Sequence, residues 1–153
     1  GIKGTTLIDD SYNSSPIAVE HALESAAAIK HVKRRIAVLG DMLELGKYSS
    51  TEHKRIGKKM ADTCDILLTI GVRARGIAEG ALIGGMDEEN IYQYEESARA
   101  GRELQAMLQT GDLVLIKGSQ GIRAEIIVEE VMQEPERAAE LLVRQDKAWK
   151  AKV

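Results

Sequence analysis

Four short apolar runs, at residues 5–9, 35–39, 65–70 and 113–116, lack the alternation of apolar and polar residues that marks a half-buried strand. Strands of that kind are covered on both faces, which requires a parallel sheet with helices above and below. The segments between them carry the helical period. Val19, Ala22, Leu23, Ala26 and Ile29 recur at intervals of three and four, and Ile56, Met60 and Cys64 share one face of a second helix. Ser14-Ser15-Pro16 supplies a capping serine and a proline fit for the first helical turn. Further helices are predicted at about 74–81 and 97–108, with a short strand near 91–92 and a last helix carrying Ile127, Val128 and Val131. The expected fold is a doubly wound, Rossmann-like α/β domain with a mainly parallel sheet, in three α/β/α layers.

With 153 residues, 44% hydrophobic and 29% charged, the chain is long enough for a core of its own. Phenylalanine is absent and aromatics make up 3%, so aliphatic side chains must fill that core. A net charge of -3 gives no support to nucleic-acid binding. The cationic stretch Lys30-His31-Val32-Lys33-Arg34-Arg35 falls after a predicted helix, where cations complement the helix dipole. A single cysteine, Cys64, excludes an intrachain disulfide and a thiolate zinc cluster, and fits a reducing cytoplasm. No apolar run approaches the roughly 20 residues of a membrane span, and no signal architecture opens the chain.

In open parallel sheets ligands bind beyond the carboxyl ends of the strands. Those ends here read Asp9-Asp10, Gly40-Asp41, Gly71 and Lys117-Gly118-Ser119. The first continues as Asp10-Ser11-Tyr12-Asn13-Ser14-Ser15-Pro16, the second as Asp41-Met42-Leu43-Glu44-Leu45-Gly46. A strand that breaks into acids, amides and glycine aims polar groups at a ligand. No Walker loop, dinucleotide fingerprint, G-x-S-x-G elbow or H-E-x-x-H pair is present. His21, His31 and His53 fall on or beside helices and read as structural, with His53 closest to the 41–46 loop. No catalytic residue and no metal ligand is assigned within the chain.

Taken together, residues 7–16, 38–46 and 115–119, in this order and spacing, resemble the C-terminal domain of the Mur ligases. The resemblance covers residues 1 to about 133, and Asp41-Met42-Leu43-Glu44-Leu45-Gly46 is similar to the branch that adds D-alanyl-D-alanine to a UDP-N-acetylmuramoyl tripeptide. It implies an ATP-dependent amide-forming ligase of peptidoglycan synthesis, active only with an N-terminal domain for the UDP-linked muramoyl peptide and a central domain for phosphates and Mg2+. This domain would close over ATP and position the incoming dipeptide, and alone it would be inactive.

The resemblance also assigns residues. Asp10 matches the position that binds the nucleotide ribose, a task suited to a carboxylate that accepts from two hydroxyls. The alternative for the same residue is a helix N-terminal acid. Ser11, Tyr12 and Asn13 belong to the nucleotide site or build the turn. Lys117, Gly118, Ser119 and Gln120 match the loop near the incoming dipeptide, whose carboxylate a lysine and helix-start amides can receive. Gln120 stands where an arginine is usual and Ala124 where methionine is common, which makes Arg123, a turn beyond Gln120, the candidate to restore the charge. Asp41, Met42 and Glu44 are assigned to the substrate rim or to domain closure. Met42, Leu43 and Leu45 are expected to pack on another domain or the ligand. Residues 134–153, charged and set off by Pro135, read as a helical tail docked through Leu141 and Leu142. Two alternatives stand beside this reading: a non-catalytic, flavodoxin-like nucleotide-binding or interaction domain, and the same domain of a sibling amino-acid ligase. A receiver domain would want an aspartate where the third strand ends in Thr69-Ile70-Gly71.

Overall fold

Strands and helices alternate through residues 6–9, 15–118 and 127, which the computed structural model describes. They run β1 (Thr6–Asp9), α1 (Pro16–Ala28), β2 (Arg34–Gly40), α2 (Ser49–Ala61), β3 (Ile66–Ile70), α3 (Arg75–Ile83), β4 (Ile91–Tyr94), α4 (Ser97–Met107) and β5 (Asp112–Lys117). The sheet order is β1-β5-β2-β3-β4, and every neighbouring pair is parallel. The tail at 134–153 lies outside the described residues.

Connections of one hand explain the layers. From β1 to β4 the chain advances in one direction across the sheet, then returns to insert β5. Right-handed crossovers place helices on one face while the chain advances and on the other when it returns. Accordingly, Val19 and Leu23 of α1, Ile56 and Met60 of α2, and Ile77 and Ala81 of α3 share one core with Ala37, Leu39, Leu67, Leu113 and Leu115. Ala100 and Leu104 of α4 share the other with Ile36, Val38, Leu68, Val114 and Ile116. Both faces of the central strands are apolar, which is why their sequences show no alternation.

Local sequence sets the helix ends. Ser15 Oγ accepts from the Ala18 amide at 3.2 Å and Pro16 opens α1. The cationic stretch is used structurally, as expected. Arg35 donates to the carbonyls of Ala26 at 2.9 Å and Ile29 at 2.6 Å, closing the carboxyl end of α1. Beyond α2, burial of Cys64 pushes its thiol up to about 12, which leaves it a core residue without thiolate reactivity. The contact between α2 and α3 is one that periodicity does not reveal. A side chain on Gly57 would overlap the Ile77 carbonyl, and one on Gly80 the Lys54 carbonyl, so the two helices meet backbone to backbone.

Candidate functional site

Sheet order decides which strand ends share a ligand. β1 and β5 are neighbours, with Asp9 opposite Ile116. Their onward connections part to opposite faces: α1 packs in the core with α2 and α3, whereas Ile127, helical and buried, packs in the core of α4. Adjacent strands whose connections part in this way mark the switch point where ligands lodge in doubly wound sheets. Asp10, Ser11, Tyr12 and Asn13 continue directly from β1, and Gly118, Ser119 and Gln120 from β5. Of these, all but Gly118 lie outside the described residues, as does Arg123. On its other side β5 pairs with β2, Leu39 opposite Lys117, so residues 41–46 leave from the next strand along.

That 41–46 loop is firmly anchored, and three of the expected site residues, Asp41, Met42 and Lys117, are buried. Asp41 sits at the strand end as predicted, but its carboxylate is buried. Oδ1 accepts from the Ala74 amide at 2.7 Å, just before α3, and Oδ2 lies 3.7 Å from Arg73 Nη1. An acid at a helix N-terminus is stabilised by the dipole, so Asp41 braces α3 and offers little to a rim. Gly71 makes room for it: φ is 106, and a β-carbon there would collide with the Asp41 carboxylate. Met42 is fully buried in the core with Ile56 and Met60, not presented to a partner domain, because an apolar side chain next to a strand end finds the core nearer than any ligand. Lys117 is 1% exposed and engaged within the protein. A strand residue whose face points into a covered layer is enclosed whatever its polarity.

His53 supplies the second anchor. It is fully buried on α2, its Nδ1 donates to the Ser49 carbonyl at 2.7 Å, and its Nε2 accepts from the Met42 amide at 3.0 Å. Those two partners call for the neutral ring protonated on Nδ1. The structural reading of His53 holds, and its position at a helix start beside the loop was the signal for it.

Between these anchors stands Glu44. It is exposed, and its backbone is left-handed at φ 64, a conformation that costs a non-glycine residue about 1 kcal/mol. Leu45 is half-buried against the helical core, so only Leu43 of the loop's three apolar residues is exposed. Around it, the carboxyl end of the sheet exposes Ile17, Tyr48 and Val72, at 67%, 60% and 65%. Lys47 Nζ lies 5.2 Å from the Tyr48 ring centroid.

Comparison with known proteins places this architecture. The family model described as Mur ligase, glutamate ligase domain, matches residues 1–120. The UDP-N-acetylmuramoyl-tripeptide--D-alanyl-D-alanine ligase of Bacillus subtilis is 33% identical over 133 residues, covering 86% of this chain and 29% of the relative. Its Mycobacterium leprae counterpart is 34% identical over 134 residues, covering 78% and 26%. This chain therefore spans less than a third of the curated relatives it matches. Among solved structures, MurF ligase from Thermotoga maritima in complex with ADP superposes with a TM-score of 0.70 at 26% identity, covering 88% of this chain and 30% of that one. MurF from Acinetobacter baumannii gives 0.72 at 26% identity, covering 85% and 28%. Motifs, sheet order and family match agree that this chain belongs to the Mur ligase family.

Proposed function

We propose that the complete protein is an ATP-dependent ligase that joins D-alanyl-D-alanine to UDP-N-acetylmuramoyl tripeptide in peptidoglycan synthesis, with this domain closing over the nucleotide and positioning the dipeptide. The observation that carries the reading is the switch point between β1 and β5, on a fold whose relative binds ADP. At that point Asp10 accepts from the ribose hydroxyls, Asn13 and Ser11 hydrogen-bond around them, and Tyr12 packs against the base. Since Lys117 is enclosed, the dipeptide carboxylate falls to the amides of Gly118, Ser119 and Gln120, with Arg123 supplying positive charge. ATP, when bound with Mg2+, supplies the phosphoryl group that activates the tripeptide carboxylate.

Among the described residues no group of three or more His, Cys, Asp or Glu is placed to hold a metal ion. We assign the Mg2+ ligands and the phosphate loop to the central domain. The exposed Ile17, Leu43, Tyr48 and Val72 give those domains an apolar surface to meet on closure. No helix among the described residues is long and apolar enough to cross a membrane. In this reading the complete enzyme acts in the cytoplasm on UDP-linked substrates.

The test joins this domain to its N-terminal and central domains and measures phosphate release with UDP-linked tripeptide, ATP and D-alanyl-D-alanine. Turnover with the D-dipeptide is expected. Turnover with a single amino acid, and none with any D-dipeptide, reassigns the chain to a sibling ligase. The isolated domain should bind ATP only weakly by calorimetry.

A further inference from the structure

His53 is the one histidine among the described residues whose ring is shut inside the fold; His21 and His31 are exposed. Both of its ring nitrogens are committed. Nδ1 donates to the Ser49 carbonyl at 2.7 Å, with Ser49 Oγ at 3.3 Å, and Nε2 accepts from the Met42 amide at 3.0 Å. A backbone amide can only donate, so the bond to Met42 exists only while Nε2 carries no proton. On its other side the residue meets α3, where a β-carbon on Gly76 would stand 2.9 Å from the His53 β-carbon.

The charged groups on the elements around His53 are turned to other partners. In the loop, Asp41 is bonded to the Ala74 amide and faces Arg73, Glu44 is exposed, and Lys47 lies over Tyr48. On α2, Glu52 pairs with Arg55 and Lys54 with Glu79 of α3, while Arg75 pairs with Glu95. Among the described residues none of these groups is hydrogen-bonded to the ring. We propose that His53 is an acid-sensitive latch. A proton taken at Nε2 sets two N–H groups against each other, breaks the bond to Met42 and frees the 41–46 loop from α2. The Asp41 bond to Ala74 is untouched by that proton, so the chain opens beyond residue 41 and the sheet stays whole. Acid thereby reshapes the carboxyl end, where such sheets hold their ligands, whatever the substrate.

Hydrogen exchange of the complete enzyme, followed by mass spectrometry and corrected for the intrinsic pH dependence of exchange, reads the latch directly. Between about pH 8 and about pH 5, the interval in which imidazole changes charge, protection of residues 41–46 should fall roughly tenfold or more, the effect of losing one buried hydrogen bond. Protection of β2 and β3 should hold, which separates an opened loop from general unfolding. In His53→Gln, whose amide oxygen can stand in for Nε2 and takes no proton, the acid response should vanish. In the double variant His21→Gln and His31→Gln it should persist. Loop protection that stays level across the interval overturns the proposal, as does a response that survives His53→Gln. Should His53→Gln fail to fold, the other two proteins still decide: a level loop in the unaltered enzyme, or a response lost with His21 and His31, overturns the latch.

Discussion

The two ends of the sheet both carry charged residues and use them differently. At the amino end, Arg34 holds Asp112 through two bonds, Nε to Oδ1 at 2.8 Å and Nη2 to Oδ2 at 2.6 Å, while the Gln109 amide donates to the same carboxylate at 2.8 Å. Arg35 closes α1, and its amide donates to Asp65 at 2.8 Å. At the carboxyl end, Asp41 and His53 are satisfied in the same thorough way, yet the same end leaves Glu44 without a partner among the described residues and exposes Ile17, Leu43, Tyr48 and Val72. At the amino end these charges pair with one another, whereas the carboxyl end frames a carboxylate without a partner among the described residues. Connections leave the carboxyl ends toward the ligand side in such sheets.

The contrast breaks most sharply at Gly71. Alanine there must adopt φ 106 and displace the Asp41 carboxylate, so Gly71→Ala should cost about 3 kcal/mol or more in urea unfolding. A loss below about 1 kcal/mol would mean that the frame is looser than its hydrogen bonds imply.

At the amino end, Asp112→Ala should cost about 3 kcal/mol by stranding Arg34, whose side chain is partly buried. Burial alone raises the Asp112 carboxyl, but the Arg34 hydrogen bonds and the Gln109 amide outweigh it and hold it below the ordinary 3.8. A depressed carboxyl stabilises the fold above its unfolded value, and that contribution is lost as pH falls from about 3.8 through the folded value. Asp112→Asn should therefore flatten the acid limb of stability against pH, and an unaltered limb would remove Asp112 from that role.

Two smaller effects run the other way, and both lie at the carboxyl end. Thr69 Oγ1 is buried on β3 without a hydrogen-bond partner among the described residues. Thr69→Val should raise stability by about 1 kcal/mol by removing a stranded hydroxyl. Glu44→Gly should also stabilise, by roughly 0.5 to 1 kcal/mol after the entropy of glycine is offset, because the left-handed backbone no longer opposes a β-carbon. If thermal unfolding shows both variants less stable than the parent, the carboxyl end is optimised for stability and the comparison fails.

Much of the fold is legible along the chain because double-sided burial writes itself as runs without alternation. The capping Ser15 and Pro16 announce α1, and strands and helices fall within a few residues of their expected bounds. The 41–46 loop is equally legible as a place, but the roles inside it are not. Asp41, Met42 and Glu44 are nearly contiguous, and sequence cannot say which of three neighbours turns inward. The α2–α3 contact is hidden because glycine inside a helix reads as a weakness. Only the opposing backbone makes Gly57 and Gly80 necessary.

By itself, the sequence determined the layered α/β class, the strand ends as the place for ligands, and the motifs that tie the chain to the Mur ligases. All three depend on order along the chain, through periodicity, breakers and short-range spacing. Tertiary structure decided that β5 inserts between β1 and β2, that Asp41, Met42 and Lys117 turn into the fold, and that Glu44 stays exposed. Those outcomes depend on what lies opposite each residue across the sheet, and the Ala74 amide that captures Asp41 is 33 residues away along the chain.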